Sequence, residues 1–270
     1  MTERPIAWKR WIAKKAARAG VGALGRLGGG RGVRVLTYHR FGPAERMPFT
    51  VTKEAFESEM AFLAREGRSV SLADIERHVR GEIALKDGSV LVTMDDGDPS
   101  VLRVALPILQ KHRVPSVLYA LGGAPEGYDV LTPAELREVA SGGVTIGSHT
   151  VNHRSMGTLP RDEAMAEAFD SKARLEDVVG APVTSFAYPF GTRRDVSADA
   201  ARILVEAGYT TGFTSLHGPV RQGDDPMLLP RVKVESGDPA WLFPALCDGA
   251  MDRWRLVDEG LSGLQKPQGG

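Results

Sequence analysis

Apolar and polar positions along this chain switch repeatedly between two periods, and the switching lays out most of the elements. Short β-branched and aliphatic runs bounded by turn signals predict buried strands at 33–38, 90–94, 116–120, 144–146, 183–188, 210–214 and 232–234. Helical spacing fills the gaps between them. Phe56, Met60 and Leu63 share one side of a helix that Thr52 caps, and Ser71-Leu72-Ala73-Asp74 starts another in the manner of a capping box. Residues 101–111 follow as a helix kinked at Pro107, and Thr132-Pro133-Ala134-Glu135 supplies a cap, a proline at the first helical position and a glutamate at the third. Helices at 162–179 and 197–207 complete the series. Strand and helix in alternation call for a parallel sheet, open or closed, and polar residues directly after several strands favour a barrel.

The pattern changes at the amino terminus. The net charge of 0 conceals an asymmetry: residues 1–34 hold nine Lys/Arg against one acid, Glu3, for +8, leaving 25 against 33, or −8, for the remainder. On a helix, Trp8, Trp11, Ile12, Ala16, Ala19 and Ala23 share a face and Arg10, Lys14 and Arg18 lie opposite, with Lys15 intruding on the apolar side. A basic amphipathic helix of this kind suits peripheral contact with an anionic membrane through residues 5–24; a basic extension that is solvated, or packed on the acidic body, gives the same pattern. A secretory signal does not fit, because the longest uncharged run, 19–25, is short, glycine-rich and closed by Arg26. The expected location is therefore cytoplasmic, at the inner membrane face. Gly28-Gly29-Gly30 marks a joint, so the expected organisation is a basic segment at 1–32, a catalytic domain at 33–248 and a tail at 249–270. Cys247 is the single cysteine, which excludes an internal disulfide and leaves any metal to histidine and carboxylate.

Candidate chemistry collects at strand ends. The run 90–94 stops on Asp95-Asp96-Gly97, and adjacent carboxylates repel unless a cation or partner takes up the charge. Read that way the pair suggests a metal beside a proton-handling group; read plainly it is an Asp-Asp-Gly turn. Ser148-His149-Thr150-Val151-Asn152-His153 sets two histidines four apart, a spacing at which both rings reach one ion from a helical turn, or which serves a capping or solvated loop. His39 closes the first strand, while His78 and His112 fall on predicted helices as surface residues.

Thr93-Met94-Asp95-Asp96-Gly97 resembles the TFDDG motif of the polysaccharide deacetylases, family four of the carbohydrate esterases, and residues 148–153 resemble their H(S/T)xxH motif. Phe186-Ala187-Tyr188-Pro189-Phe190-Gly191 is similar to the FAYPYG form of the third motif. Leu36-Thr37-Tyr38-His39 is similar to the YH element of the branch that includes poly-N-acetylglucosamine deacetylases. The resemblance runs from about residue 33 to 235, with the motifs in order. It implies a distorted (β/α) barrel of about seven parallel strands. It also implies a divalent metal, Zn2+ first with Co2+, Ni2+ or Mn2+ as alternatives, on Asp96, His149 and His153. Asp95 would be the general base, protonated His39 the general acid, and the backbone N–H of Phe190 the oxyanion donor. Tyr188 and Asp98 are the expected substrate-binding residues. Ala187 stands where many members carry an arginine that orients the catalytic aspartate, and Arg231 is the candidate to supply that guanidinium from elsewhere; His217 is an alternative acid. The implied activity is removal of N-acetyl from a sugar in a glycan, oligosaccharide or glycolipid precursor, with an N-acetylated carbohydrate and no nucleic acid as partner. Hydrolysis of a small non-sugar amide or imide, and non-catalytic carbohydrate binding, are the alternatives.

Overall fold

The computed structural model describes residues 5–26, 30 and 32–257. Residues 28 and 29 of the expected joint and 258–270 of the expected tail lie outside the described residues. Helix α1 (Trp8–Gly25) leads to strand β1 (Arg34–Tyr38), after which the two-residue strands β2 (Arg40–Phe41) and β3 (Thr50–Val51) pair with each other. Then come α2 (Lys53–Arg65), α3 (Leu72–Val79), β4 (Val90–Asp96), α4 (Leu106–His112), β5 (Ser116–Ala120), α5 (Pro133–Ser141) and β6 (Thr145–Ser148). The chain continues through α6 (Arg161–Val179), β7 (Ser185–Ala187), α7 (Ala198–Glu206), β8 (Thr211–Phe213), β9 (Val232–Lys233) and α8 (Leu242–Cys247).

The anticipated caps form. Thr52 accepts from the Ala55 N–H, and Ser71 with Asp74 and Thr132 with Glu135 make reciprocal capping boxes; Ser197 adds a cap to α7 that was not anticipated. Residues 101–105 are wound as wider π-type turns that run into α4, which places Pro107 in the first turn of α4, where its missing N–H costs nothing. The expected strand at 183–188 contracts to three residues, and α8 was not signalled by the apolar pattern.

All seven strands of the main sheet are parallel, in the order β8-β7-β6-β5-β4-β1-β9, and the sheet curls as a distorted (β/α) barrel. Alternation decides what faces where. Val35, Leu91, Val117, Tyr119, Ala187 and Phe213 fill the interior, and Leu72, Ile75 and Val79 of α3 join them. Leu36, Tyr38, Val92, Met94, Leu118 and Phe186 face outward under the helices. Met94, in place of the family's aromatic, is fully buried there, a volume-similar change that the outer core accommodates. Gly147 is required by the interior: a Cβ on it would lie 2.4 Å from Cδ1 of Tyr119. The sheet edges meet across one short segment, since Leu229 bridges to Phe213 of β8 and Val232 pairs with Leu36 of β1. Arg231 lies in that seam.

Helix α1 and the residues just before it are fixed to the body. Ile6 donates to the Arg46 carbonyl at 3.0 Å, and a Cβ on Gly25 would lie 1.9 Å from the Ala250 carbonyl oxygen, so only glycine permits that approach. No helix among the described residues is long and apolar enough to cross a membrane.

Candidate active site

The interior register of the strands carries the chemistry to the carboxyl-terminal rim. Val35 and Thr37 on β1, continued by His39 directly after it, and Leu91, Thr93 and Asp95 on β4 follow one parity, so His39 and Asp95 face the barrel axis. Asp96 is on the wrong parity for that, and its backbone corrects it: φ is +73°, a left-handed conformation that costs a non-glycine residue energy. Thr150, His153 and Phe190 share this conformation, with φ of +70°, +55° and +59°. Four of the six such residues among the described ones thus surround the same few ångströms.

The two histidines do not lie on a helical turn. Residues 149–153 form a loop after β6, and its left-handed residues bring the rings to 4.9 Å between centroids. Glu167, buried on α6, holds that loop: its Oε2 accepts from the Val151 and Asn152 N–H groups at 2.7 and 2.9 Å, and its Oε1 from the Asn152 side chain at 2.9 Å. Nothing in the sequence separated Glu167 from the other charges of that helix. Replacing Glu167 with alanine strands three donors in a buried place; we expect a loss of about 2–3 kcal/mol in urea unfolding, and a smaller loss for Glu167→Gln, which keeps one acceptor.

Asp96, His149 and His153 each direct one atom to a common point, all within 4.8 Å of one another. The Nδ1 of His149 donates to the Ala187 carbonyl at 2.7 Å, which leaves its Nε2 lone pair facing Asp96 Oδ1 at 3.6 Å. His153 Nε2 faces the same oxygen at 3.4 Å, while its Nδ1 meets the Tyr128 hydroxyl at 2.8 Å. Tyr128, on the loop before α5, escaped sequence reasoning because no periodicity marks it. Burial pushes the pKa of both histidines down to about 4, so both are neutral near pH 7. Asp96 Oδ1 is buried with no hydrogen-bond partner. A buried carboxylate oxygen left orphaned between the Nε2 atoms of two neutral imidazoles is compatible with a divalent cation, and these residues fit one.

Asp95 is gripped differently. Arg231 donates from Nη1 and Nη2 to its two oxygens, each at 2.7 Å, and is itself fixed by Nε to the Thr214 carbonyl at 2.9 Å and by Nη1 to Thr93 Oγ1 at 3.2 Å. Burial works to raise the Asp95 pKa, and the guanidinium overcomes it, holding the carboxyl at about 2. The guanidinium absent from position 187 is therefore delivered from the seam.

His39 is half-buried, with its ring 5.0 Å from that of Phe49, and it stands close enough to Asp95 and His153 to act on both electrostatically. The Phe190 ring sits 4.7 Å from that of His153, and the Phe190 N–H makes no hydrogen bond within the described chain. Asp98 is at the rim, but Arg40 neutralises it at 3.1 Å and it accepts from the Ser100 N–H at 2.9 Å.

Three expectations need correction. Tyr188 is fully buried among outward-facing core residues against Phe186, so it does not line the cleft. His217 is buried within electrostatic reach of Asp252, which binds Arg34 at the amino-terminal end of β1, at the far end of the barrel from the candidate acid's position. His78 is buried rather than at the surface, and its Nδ1 accepts from the Leu85 N–H at 3.2 Å.

Residues 82–212 match the profile of the family described as polysaccharide deacetylase. The solved structure of IcaB from Ammonifex degensii superposes with a TM-score of 0.70 at 29% identity, covering 82% of this chain and 98% of that one. The profile and this neighbour agree on the polysaccharide deacetylases as the family this chain resembles. Among its relatives, YxkH of Bacillus subtilis, a putative polysaccharide deacetylase by name, is 26% identical over 204 residues, 75% of this chain and 71% of its own length. A peptidoglycan-N-acetylglucosamine deacetylase of Bacillus cereus is 27% identical over 186 residues, 67% of this chain and 82% of its own length. The four sequence motifs that carry the resemblance lie on one rim of the barrel.

Proposed function

We propose that this chain is a metal-dependent hydrolase that removes the acetyl group from an N-acetylated sugar of a glycan, oligosaccharide or glycolipid. The observation that carries the reading is the orphaned Asp96 Oδ1, buried between the Nε2 atoms of His149 and His153. Bound there, a divalent cation, with Zn2+ the first candidate for this His2Asp set, would polarise the acyl oxygen and acidify a water.

The chain's own residues supply the rest. Asp95, kept ionised by Arg231 and not required as a ligand, accepts the water's proton as the general base. The Phe190 N–H, held by a left-handed turn, donates to the oxygen that becomes negative when the carbonyl is attacked. Collapse would expel an amide anion, far too basic to leave at neutral pH, and protonated His39 prevents this by donating to the departing nitrogen. Asp98 is paired with Arg40, so substrate recognition by this carboxylate would act through the pair. A pure carbohydrate binder has no use for a buried base clamped by a buried arginine beside a cation site.

The test is to load purified protein with Zn2+, Co2+, Ni2+ or Mn2+, present a panel of N-acetylated glycans and measure released acetate. Acetate from at least one glycan, with Asp96→Ala and His149→Ala losing both bound metal and acetate release, is the expected result. Unchanged metal content in both variants would remove the cation site. Retained metal with no acetate from any glycan would redirect the search to small amides and imides.

A further inference from the structure

Helix α1 is oriented opposite to the usual amphipathic helix of a globular protein. Its cationic side is turned inward: Lys14 reaches Glu235 at 2.9 Å, Lys15 reaches Glu235 and Asp238 at 3.2 and 3.0 Å, and fully buried Arg18 reaches Asp238 at 2.7 Å and the Lys233 carbonyl at 3.1 Å. Gly22 lies against Leu242 of α8 on the same side. Trp11 and Val21 turn inward as well, against Gly237 and the main core, but Trp8, Ile12 and Leu24 face outward, 61%, 49% and 64% exposed, with Ala16 and Ala23 exposed between them and Trp241, 40% exposed, beside the last turn. Burial of an apolar stripe ordinarily drives a helix onto its core. Here ion pairs, together with the packing of Trp11, Val21 and Gly22, hold the helix, and the outward stripe of Trp8, Ile12 and Leu24 has no cover within the described chain.

The charge beside the stripe indicates what covers it. Residues 5–26 carry six cations and no acid. Lys14, Lys15 and Arg18 are spent on Glu235 and Asp238, while Lys9 and Arg10 are exposed beside Trp8 and Ile12 and pair with no carboxylate among the described residues, and exposed Arg26 stacks over Trp241. We propose that the outward face of α1, formed by Trp8, Ile12 and Leu24 with Lys9, Arg10 and Arg26 alongside, seats on an anionic lipid surface. An exposed apolar stripe flanked by cations is the complement of acyl chains beneath negatively charged headgroups. The helix is tied at its start to Arg46, on the loop that follows His39, and Lys14 lies 6.0 Å from the ring of Phe49, which packs on His39. Seating α1 therefore brings the mouth of the cleft alongside the headgroups, where a lipid-linked or surface-held glycan would be met. Lipid seating does not depend on the proposed reaction, and its test needs no turnover.

The full chain is floated with vesicles of phosphatidylcholine alone and of phosphatidylcholine with about one-third phosphatidylglycerol. Binding to the anionic vesicles, released by raising salt, is expected. Trp8→Ser/Ile12→Ser/Leu24→Ser is expected to weaken it at least ~10-fold, and Lys9→Gln/Arg10→Gln by roughly fivefold for each charge removed. Thermal unfolding should be unchanged in both variants, since the substituted side chains are exposed. No flotation of the wild-type protein, or flotation of the triple variant equal to wild type, would overturn the proposal. A wild-type dimer that the triple substitution converts to monomer would also overturn it, assigning the stripe to a second copy of the chain.

Discussion

Asp95→Asn is expected to keep its metal and lose turnover by about 100- to 10,000-fold, the range that general-base catalysis supplies. The amide retains the size of the carboxylate and one acceptor for Arg231, but it has no basic lone pair for a water's proton. The three candidate ligands are untouched, since Asp95 makes its close contacts with Arg231 rather than with Asp96, His149 or His153. The substitution also leaves a buried guanidinium facing a neutral group, so turnover is to be compared well below the variant's melting temperature. Metal content and acetate release on the same sample decide the matter. Normal turnover with metal bound would remove Asp95 from the mechanism, and metal loss would make it a ligand.

Arg231→Leu should be the most damaging single change to stability in the barrel. The side chain is wholly buried and makes two charge-assisted bonds to Asp95, so its removal leaves an uncompensated carboxylate, a defect that costs about 3–5 kcal/mol. The pH dependence has a definite sign. Arg231 holds the Asp95 pKa at about 2 against an ordinary value of 3.8, so the pair's contribution is present in full above about pH 4 and is lost as pH falls through about 2. That contribution is on the order of 2 kcal/mol. In the variant the largest opposition to burial is gone, so the Asp95 pKa rises and the acid limb of the activity profile moves to higher pH. Urea unfolding at pH 7 and pH 3 measures the first effect, and a pH–rate profile the second. A variant as stable as wild type, with an unmoved acid limb, would show that Arg231 does not govern Asp95.

The parts of this site that sequence made legible are those with local causes. A strand's period of two sets the parity of His39 and Asp95, capping chemistry sets where α2, α3 and α5 begin, and the four short motifs mark the strand ends that form the rim. What stayed hidden depends on contacts between distant residues. The histidine pair looked helical because spacing of four is all that sequence displays, whereas the loop is set by left-handed backbone at Thr150 and His153 and by Glu167, some 15 residues further on. Tyr188 sits in a motif and therefore looked functional, yet its position after β7 places it in the outer core. Tyr128 and Arg40 carry no periodic signal, and only the folded rim brings them to His153 and Asp98. The facial sorting of α1 was legible, but which face turns inward was not, because the acids that attract its cations lie more than 200 residues away.

The seam at Leu229–Arg231–Val232 also sets a timetable. Asp95 and Arg231 are 136 residues apart, so a chain emerging at roughly 5–20 residues per second exposes the aspartate several seconds or more before the arginine exists. Until then β4 ends in a carboxylate with no guanidinium to hold its charge, and β1 lacks its neighbour on one side. A nascent chain that stops short of residue 231 carries the cation site's three ligands without the partner that keeps Asp95 ionised. On the proposed mechanism, a capacity to bind a cation would precede the capacity to use it, and a chain ending before residue 231 would be inert.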